Sequence, residues 1–103
     1  MWVFLNNSFL SIVENRNNKD ELLVRSRIKG DIKKVFPDSD VFEIESSDYK
    51  YRSFIKKTEV SSKLKNIVEN INYDNFKNSI PSDQSERHHS YLKVWTELRK
   101  LQK

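Results

Sequence analysis

The sequence predicts an α+β domain: an antiparallel sheet of about five strands, in the order β-β-β-α-β-β-α-α, with its helices packed mainly on one face. Three observations predict it. Apolar and polar residues alternate with a period of two in several short stretches before residue 57. From Thr58 onward the apolar spacing lengthens to three and four. Turn formers, Asn6-Asn7 and Ser46-Ser47-Asp48, separate neighbouring alternating stretches.

Taken in order, MWVFL and SFLSIVEN read as two strands joined by a tight asparagine turn, since asparagine tolerates positive φ. ENRNNKD is a polar loop. LLVRSR is the third strand, with Leu23, Arg25 and Arg27 on one face and Leu22, Val24 and Ser26 on the other. Ile28, Ile32, Val35 and Phe36 recur at helical spacing, and Pro37 ends that short helix. VFEIES returns to period two, which predicts Phe42 and Ile44 inward and Glu43 and Glu45 outward. YKYRSFIKK is the fifth strand. Alternation sends Tyr49, Tyr51, Ser53 and Ile55 to one of its faces and Lys50, Arg52, Phe54 and Lys56 to the other.

Thr58 is the expected N-cap of a helix whose stripe is Val60, Leu64, Ile67, Val68 and Ile71. NYDNFKNSIP interrupts the helical pattern. Asp83 with Glu86 resembles a capping box for a last helix with the stripe Tyr91, Val94, Trp95, Leu98 and Leu101, which predicts Trp95 in the core.

The chain of 103 residues is long enough for one domain with a modest core. Apolar residues make up 36% and charged residues 33%, so the twelve aromatics must supply much of the buried area. A net charge of +4 favours an acidic partner, although a dedicated DNA-binding domain concentrates its basic residues more strongly. Cysteine is absent, which excludes disulfides, iron–sulfur clusters and cysteine zinc sites. The apolar opening MWVFL has no basic n-region and is too short for a signal peptide or a membrane span. The expectation is therefore a cytoplasmic protein of a bacterial host, with no membrane association. Alanine is absent and lysine outnumbers arginine about two to one, a bias of AT-rich coding found in low-GC bacteria and their phages.

Several chemistries drop out. A single glycine, Gly30, excludes a P-loop and a dinucleotide fingerprint, and no serine stands in a G-x-S-x-G setting. His88 and His89 point about 100° apart on a helix, poor geometry for one metal. No cofactor or metal is implied.

The cations and aromatics remain. Arg25 and Arg27 share a strand face, where Glu43 and Glu45 of a neighbouring strand are the ordinary structural partners. Tyr49, Lys50, Tyr51 and Arg52 crowd two rings and two cations into four positions. Asn75, Phe76 and Lys77 place an amide, a ring and a cation in a turn, and His89 lies off the apolar stripe near Tyr91.

The segments MWVF, LLVRSRIKGDI, SDYKYR, INYDNFK and HSYLKVW resemble, in order and over nearly the whole chain, the motifs of a widespread family of small, mostly hypothetical bacterial and phage proteins. That family's pattern is M-W-x-F, V-R-A-R, D-Y-x-Y-R, Y-x-N-F-K and H-x-Y-x-x-V-W. Ser26 replaces the usual alanine, and His88 is an extra histidine before the matching His89. The resemblance implies one domain and a shared residue set: Arg25, Arg27, Tyr49, Tyr51, Arg52, Asn75, Phe76, Lys77, His89 and Tyr91. It implies no reaction.

Arginine forks phosphate and tyrosine stacks on a base, so the leading expectation is non-enzymatic binding of a small anionic, nucleotide-like or phosphorylated ligand. Its ligand-binding set is Arg25, Arg27, Tyr49, Tyr51, Arg52, Asn75, Lys77, His89 and Tyr91. One concrete version is a phage protein that sequesters a nucleotide immune signal of its host. A second reading is a protein–protein inhibitor or adaptor that docks on a host defence protein. A third is a metal-independent phosphodiesterase using His89. A homo-oligomer is compatible with each.

Overall fold

The structure, a computed structural model, describes all 103 residues. Backbone contacts gather them into two compact units, Met1–Ile71 and Asn72–Lys103.

The first unit holds five strands: β1 (Trp2–Phe4), β2 (Phe9–Glu14), β3 (Glu21–Ser26), β4 (Phe42–Glu43) and β5 (Tyr51–Lys56). They form one antiparallel sheet in the order β1-β2-β3-β5-β4. Helices α1 (Asp31–Val35) and α2 (Lys57–Glu69) complete the unit. The α+β class and the strand and helix order match the pattern read from the sequence.

Side-chain alternation decides what each face does. Leu10 and Ile12 of β2, Val24 of β3 and Ile55 of β5 point to one side and are buried with Ile32, Val35 and Phe36 of the α1 region and Val60 of α2. This is the helix-side core. The opposite face carries Phe9, Ser11, Arg25, Arg52 and Phe54, aligned by the register Ser11↔Arg25, Arg25↔Arg52 and Phe42↔Arg52.

The turns have local causes. Between β1 and β2, the Leu5 N–H donates to the Ser8 carbonyl at 2.8 Å. No residue other than glycine has positive φ, so the asparagine pair makes this turn without a left-handed residue. Before β3, Asn15 Oδ1 accepts from the Asn17 N–H at 3.0 Å and Asn18 Oδ1 from the Asp20 N–H at 2.9 Å, two side-chain-closed turns. Gly30 precedes α1 at φ 93°, a conformation that suits glycine even though a Cβ there would meet nothing within 4 Å.

Three expectations for this unit need correction. Phe42 and Ile44 are 37% and 39% exposed rather than inward, because Val41 packs on the core and shifts the alternation by one. Thr58 is not a cap: β5 runs directly into α2, which starts at Lys57 with no side-chain cap. The α2 stripe buries Val60 and partly Leu64 and Ile67, while Val68 and Ile71 are exposed.

The second unit contains a single 3-10 turn, Lys77–Ser79, and α3 (Ser85–Arg99). The expected capping box does not form. Gln84 takes the cap position, and its Oε1 accepts from Arg87 Nε at 2.5 Å. Tyr91 is buried, but Trp95, Leu98 and Leu101 of the same stripe are 46%, 57% and 75% exposed, so Trp95 is not a core residue. No helix is long and apolar enough to cross a membrane.

Candidate anion-binding site

The site forms where β3 and β5 lie side by side. Because Val24 and Ser53 are drawn to the core, their neighbours Arg25 and Arg52 emerge on the other face, directly opposite one another. The segment between β4 and β5 folds back beside them. It is closed by the Ile44 N–H donating to the Lys50 carbonyl at 2.9 Å, and by Asp48 Oδ1 accepting from the Tyr49 N–H at 3.0 Å. Tyr49 therefore precedes β5 rather than belonging to it, and strand alternation does not govern its direction. Its ring, only 5% exposed, lies 4.6 Å from the Arg25 guanidinium carbon and 4.4 Å from that of Arg27. Tyr49 and Arg52 thus end up together although they lie three residues apart. Tyr51 goes the other way, into the helix side.

Each guanidinium is held differently. Arg25 Nη2 donates to Ser11 Oγ at 2.7 Å, while its buried Nε has no acceptor. Arg27, exposed, donates from Nε to the Asp48 carbonyl at 3.2 Å. Arg52 donates from Nε to the Tyr49 carbonyl at 3.1 Å and from Nη2 to Ser47 Oγ, and meets Asp48 Oδ1 at 3.7 Å. Asp48, its side chain 69% exposed, is the carboxylate in contact with this group, and it pairs with Arg52. Neither Arg25 nor Arg27 has an ion-pair partner. The carboxylates expected to neutralise them are engaged elsewhere or turned away. Glu45 pairs with Lys50 at 3.1 Å and raises that ammonium above its ordinary range, first by hydrogen bonding and then by charge. Glu43 lies opposite Tyr51.

Tyr51 lines a small cavity of about 210 Å³ with Ser26, Ile32 and Val41, rimmed by Lys29, Lys33 and Glu43. It is on the opposite face from Arg52, so the two do not share a site.

The remaining candidates belong to the second unit. Asn75 Oδ1 accepts from the Asn78 N–H at 3.1 Å, closing the turn. Phe76 stacks on Tyr91 with centroids 5.9 Å apart and planes at 13°. Lys77 Nζ lies 4.3 Å from the Trp95 ring centre, and Arg99 covers the same ring at 5.2 Å. The Tyr91 hydroxyl accepts from Arg87 Nη1 at 3.2 Å. His89 is exposed and lies about 200° around the helix from buried Tyr91, so the two do not form an acid–base pair.

Sequence reasoning missed Ser11, Ser47 and Arg87. The serines look like ordinary strand and turn residues. Arg87 sits between Glu86 and His88 like a surface cation, yet it is 6% exposed. Its spacing of four from Tyr91 was the available signal.

No protein-family model, curated protein or solved structure matches the chain.

Proposed function

We propose that the protein binds a small phosphorylated, nucleotide-like ligand, without transforming it, through Arg25 and Arg27, held against the buried ring of Tyr49. The observation that carries this reading is a cluster of arginines: Arg25 stands opposite Arg52 on the neighbouring strand, and Arg25 and Arg27 flank one buried ring with no ion-pair partner for either. Like charges directly opposite on a sheet are destabilising, and an anion bound at Arg25 and Arg27 offsets that cost. The Tyr49 ring holds two of the guanidinium groups in place before any ligand arrives, so little side-chain entropy remains to be lost on binding. Arg27 is the exposed member and the one best able to offer its planar fork to phosphate.

The test is calorimetric titration, preceded by a thermal-shift screen of mononucleotides, cyclic dinucleotides and ADP-ribose derivatives. A ligand at a hundred times its Kd stabilises the native state by about 2.7 kcal/mol. Arg27→Ala should cost about 0.5–1 kcal/mol of stability through the lost contact with the Tyr49 ring, and should weaken the ligand further, by about 1.5–3 kcal/mol, the scale of a hydrogen bond to a charged group. A screen with no concentration-dependent shift from any phosphate ends this reading. The AT-rich bias and the resemblance to a family that includes phage proteins favour sequestration of a host nucleotide signal as its biological version.

A second reading, docking on a host defence protein as inhibitor or adaptor, is favoured by the exposed Trp95 and Leu98 on the last turns of α3 and Leu101 just beyond it. A co-purifying protein with no co-purifying nucleotide, seen by native mass spectrometry, would select it.

A further inference from the structure

The phosphate site has an aromatic neighbour on the same sheet face. Phe42 stands opposite Arg52 across the β4–β5 pair, and Phe54 follows Arg52 two positions along β5. Their rings are 5.5 Å apart at 34°, and they are 37% and 48% exposed. Burial does not explain them. Ser53 and Ile55, the neighbours of Phe54, already take the helix side at 0% and 3% exposure. The far face thus carries two partly exposed rings on the same sheet face as Arg25 and Arg52, and these are the two halves that recognise a nucleotide: a π-face for the base and a fork for the phosphate.

We propose that Phe42 and Phe54 form a base-stacking subsite adjoining the arginines, which makes the ligand class a free nucleoside phosphate rather than a sugar phosphate or a simple anion. This inference rests on the reading of Arg25 and Arg27 as a phosphate site. Arg25 stands level with Arg52 across the β3–β5 pair, so one two-residue step, about 6.8 Å along the strands, separates it from the level of Phe54, a separation that suits a base and phosphate joined by one ribose. Stacking tolerates any base, so the subsite fixes the class of ligand and leaves base identity to other contacts. The competing role for the pair is to pin a two-residue edge strand through a cross-strand aromatic contact. That role predicts a loss of stability on substitution with no change in ligand preference.

The experiment is isothermal titration of AMP, UMP and ribose 5-phosphate into the parent, Phe54→Leu, Phe42→Leu and Phe54→Trp. Leucine keeps apolar bulk at the strand edge and removes the π-face, and melting curves establish that each variant is folded. At least one nucleotide should bind the parent roughly tenfold or more tightly than ribose 5-phosphate. Each leucine variant should lose that margin while ribose 5-phosphate binding stays unchanged, and Phe54→Trp should keep it. Equal affinity for nucleotides and ribose 5-phosphate in the parent overturns the stacking subsite and leaves the phosphate site standing. So does an equal loss of both ligands in a leucine variant. Binding by none of the three overturns both readings. An oligothymidylate that binds roughly a hundredfold more tightly than UMP assigns the surface to single strands and overturns the free-nucleotide class.

Discussion

Two aromatic rings in this protein are each flanked by two cations, yet they behave differently. Tyr49 has Arg25 and Arg27 at 4.6 and 4.4 Å and is 5% exposed. Trp95 has Lys77 and Arg99 at 4.3 and 5.2 Å and is 46% exposed. The contact chemistry is nearly the same, but its strength depends on the solvent around it. A cation over a ring is worth about 0.5–1 kcal/mol when exposed and about 2 or more when desolvated. Of the cations around Tyr49, Arg25 comes from strand β3, whose backbone is fixed by neighbours on both sides, and Arg27 from the residue just past its end, where its guanidinium donates to the Asp48 carbonyl. Those around Trp95 come from a 3-10 turn and the last turn of a helix. A cation–aromatic contact is strengthened where the surrounding scaffold excludes water from the ring, as around Tyr49 and not around Trp95.

The largest effect should come from Tyr49→Ala. Deleting a large, buried aromatic costs about 3–5 kcal/mol, and here it also leaves Arg25 and Arg27 without the ring that holds them. Thermal or urea unfolding measures it. A variant that unfolds like the parent would show that the ring contributes no more than the exposed Trp95, and the contrast between the two clusters would collapse.

Arg52→Ala sharpens the same comparison from the strand side. The sequence singles out Arg52 as a ligand residue, but it donates to the Tyr49 carbonyl and to Ser47 Oγ and meets Asp48, with its side chain only 17% exposed. It ties the segment that carries Tyr49 to β5. Removing it should destabilise the protein by about 1.5–3 kcal/mol, the range for hydrogen bonds that involve a charged group. Arg52→Lys should restore only part, because an ammonium cannot reach both acceptors with a planar fork. Stability unchanged in Arg52→Ala would return Arg52 to the ligand and make the segment from Ser46 to Lys50 self-supporting.

What the sequence made legible follows from what periodicity can carry. Period two placed Val24 and Arg25 on opposite faces, and helical spacing found Ile32, Val35 and Phe36, because burial enforces both patterns. Periodicity carries no information about where a strand begins. Tyr49 looked like part of β5, and only the bend before Tyr51 brings it over the arginines. The same limit inverted β4, where two paired residues are too few to fix which face Phe42 takes. The convergence of Arg25 with Arg52 depends on β3 and β5 being neighbours, a long-range pairing that local spacing does not encode.

The smallest effect should be that of Trp95→Ala, although the sequence places Trp95 in a core stripe. A buried tryptophan would cost about 3–5 kcal/mol on truncation. At 46% exposure much of its area never leaves water, so most of that transfer energy is absent. The remaining terms are the contacts with Lys77 and Arg99, each about 0.5–1 kcal/mol at an exposed site and open to screening by salt. The expected loss is therefore about 1–2 kcal/mol, and it should shrink at high ionic strength, whereas the loss from Tyr49→Ala should hold. Melting curves of both variants at low and high salt separate the two cases. A salt-independent loss as large as that of Tyr49→Ala would mean that Trp95 is held by packing after all, and that the two clusters do not differ in kind.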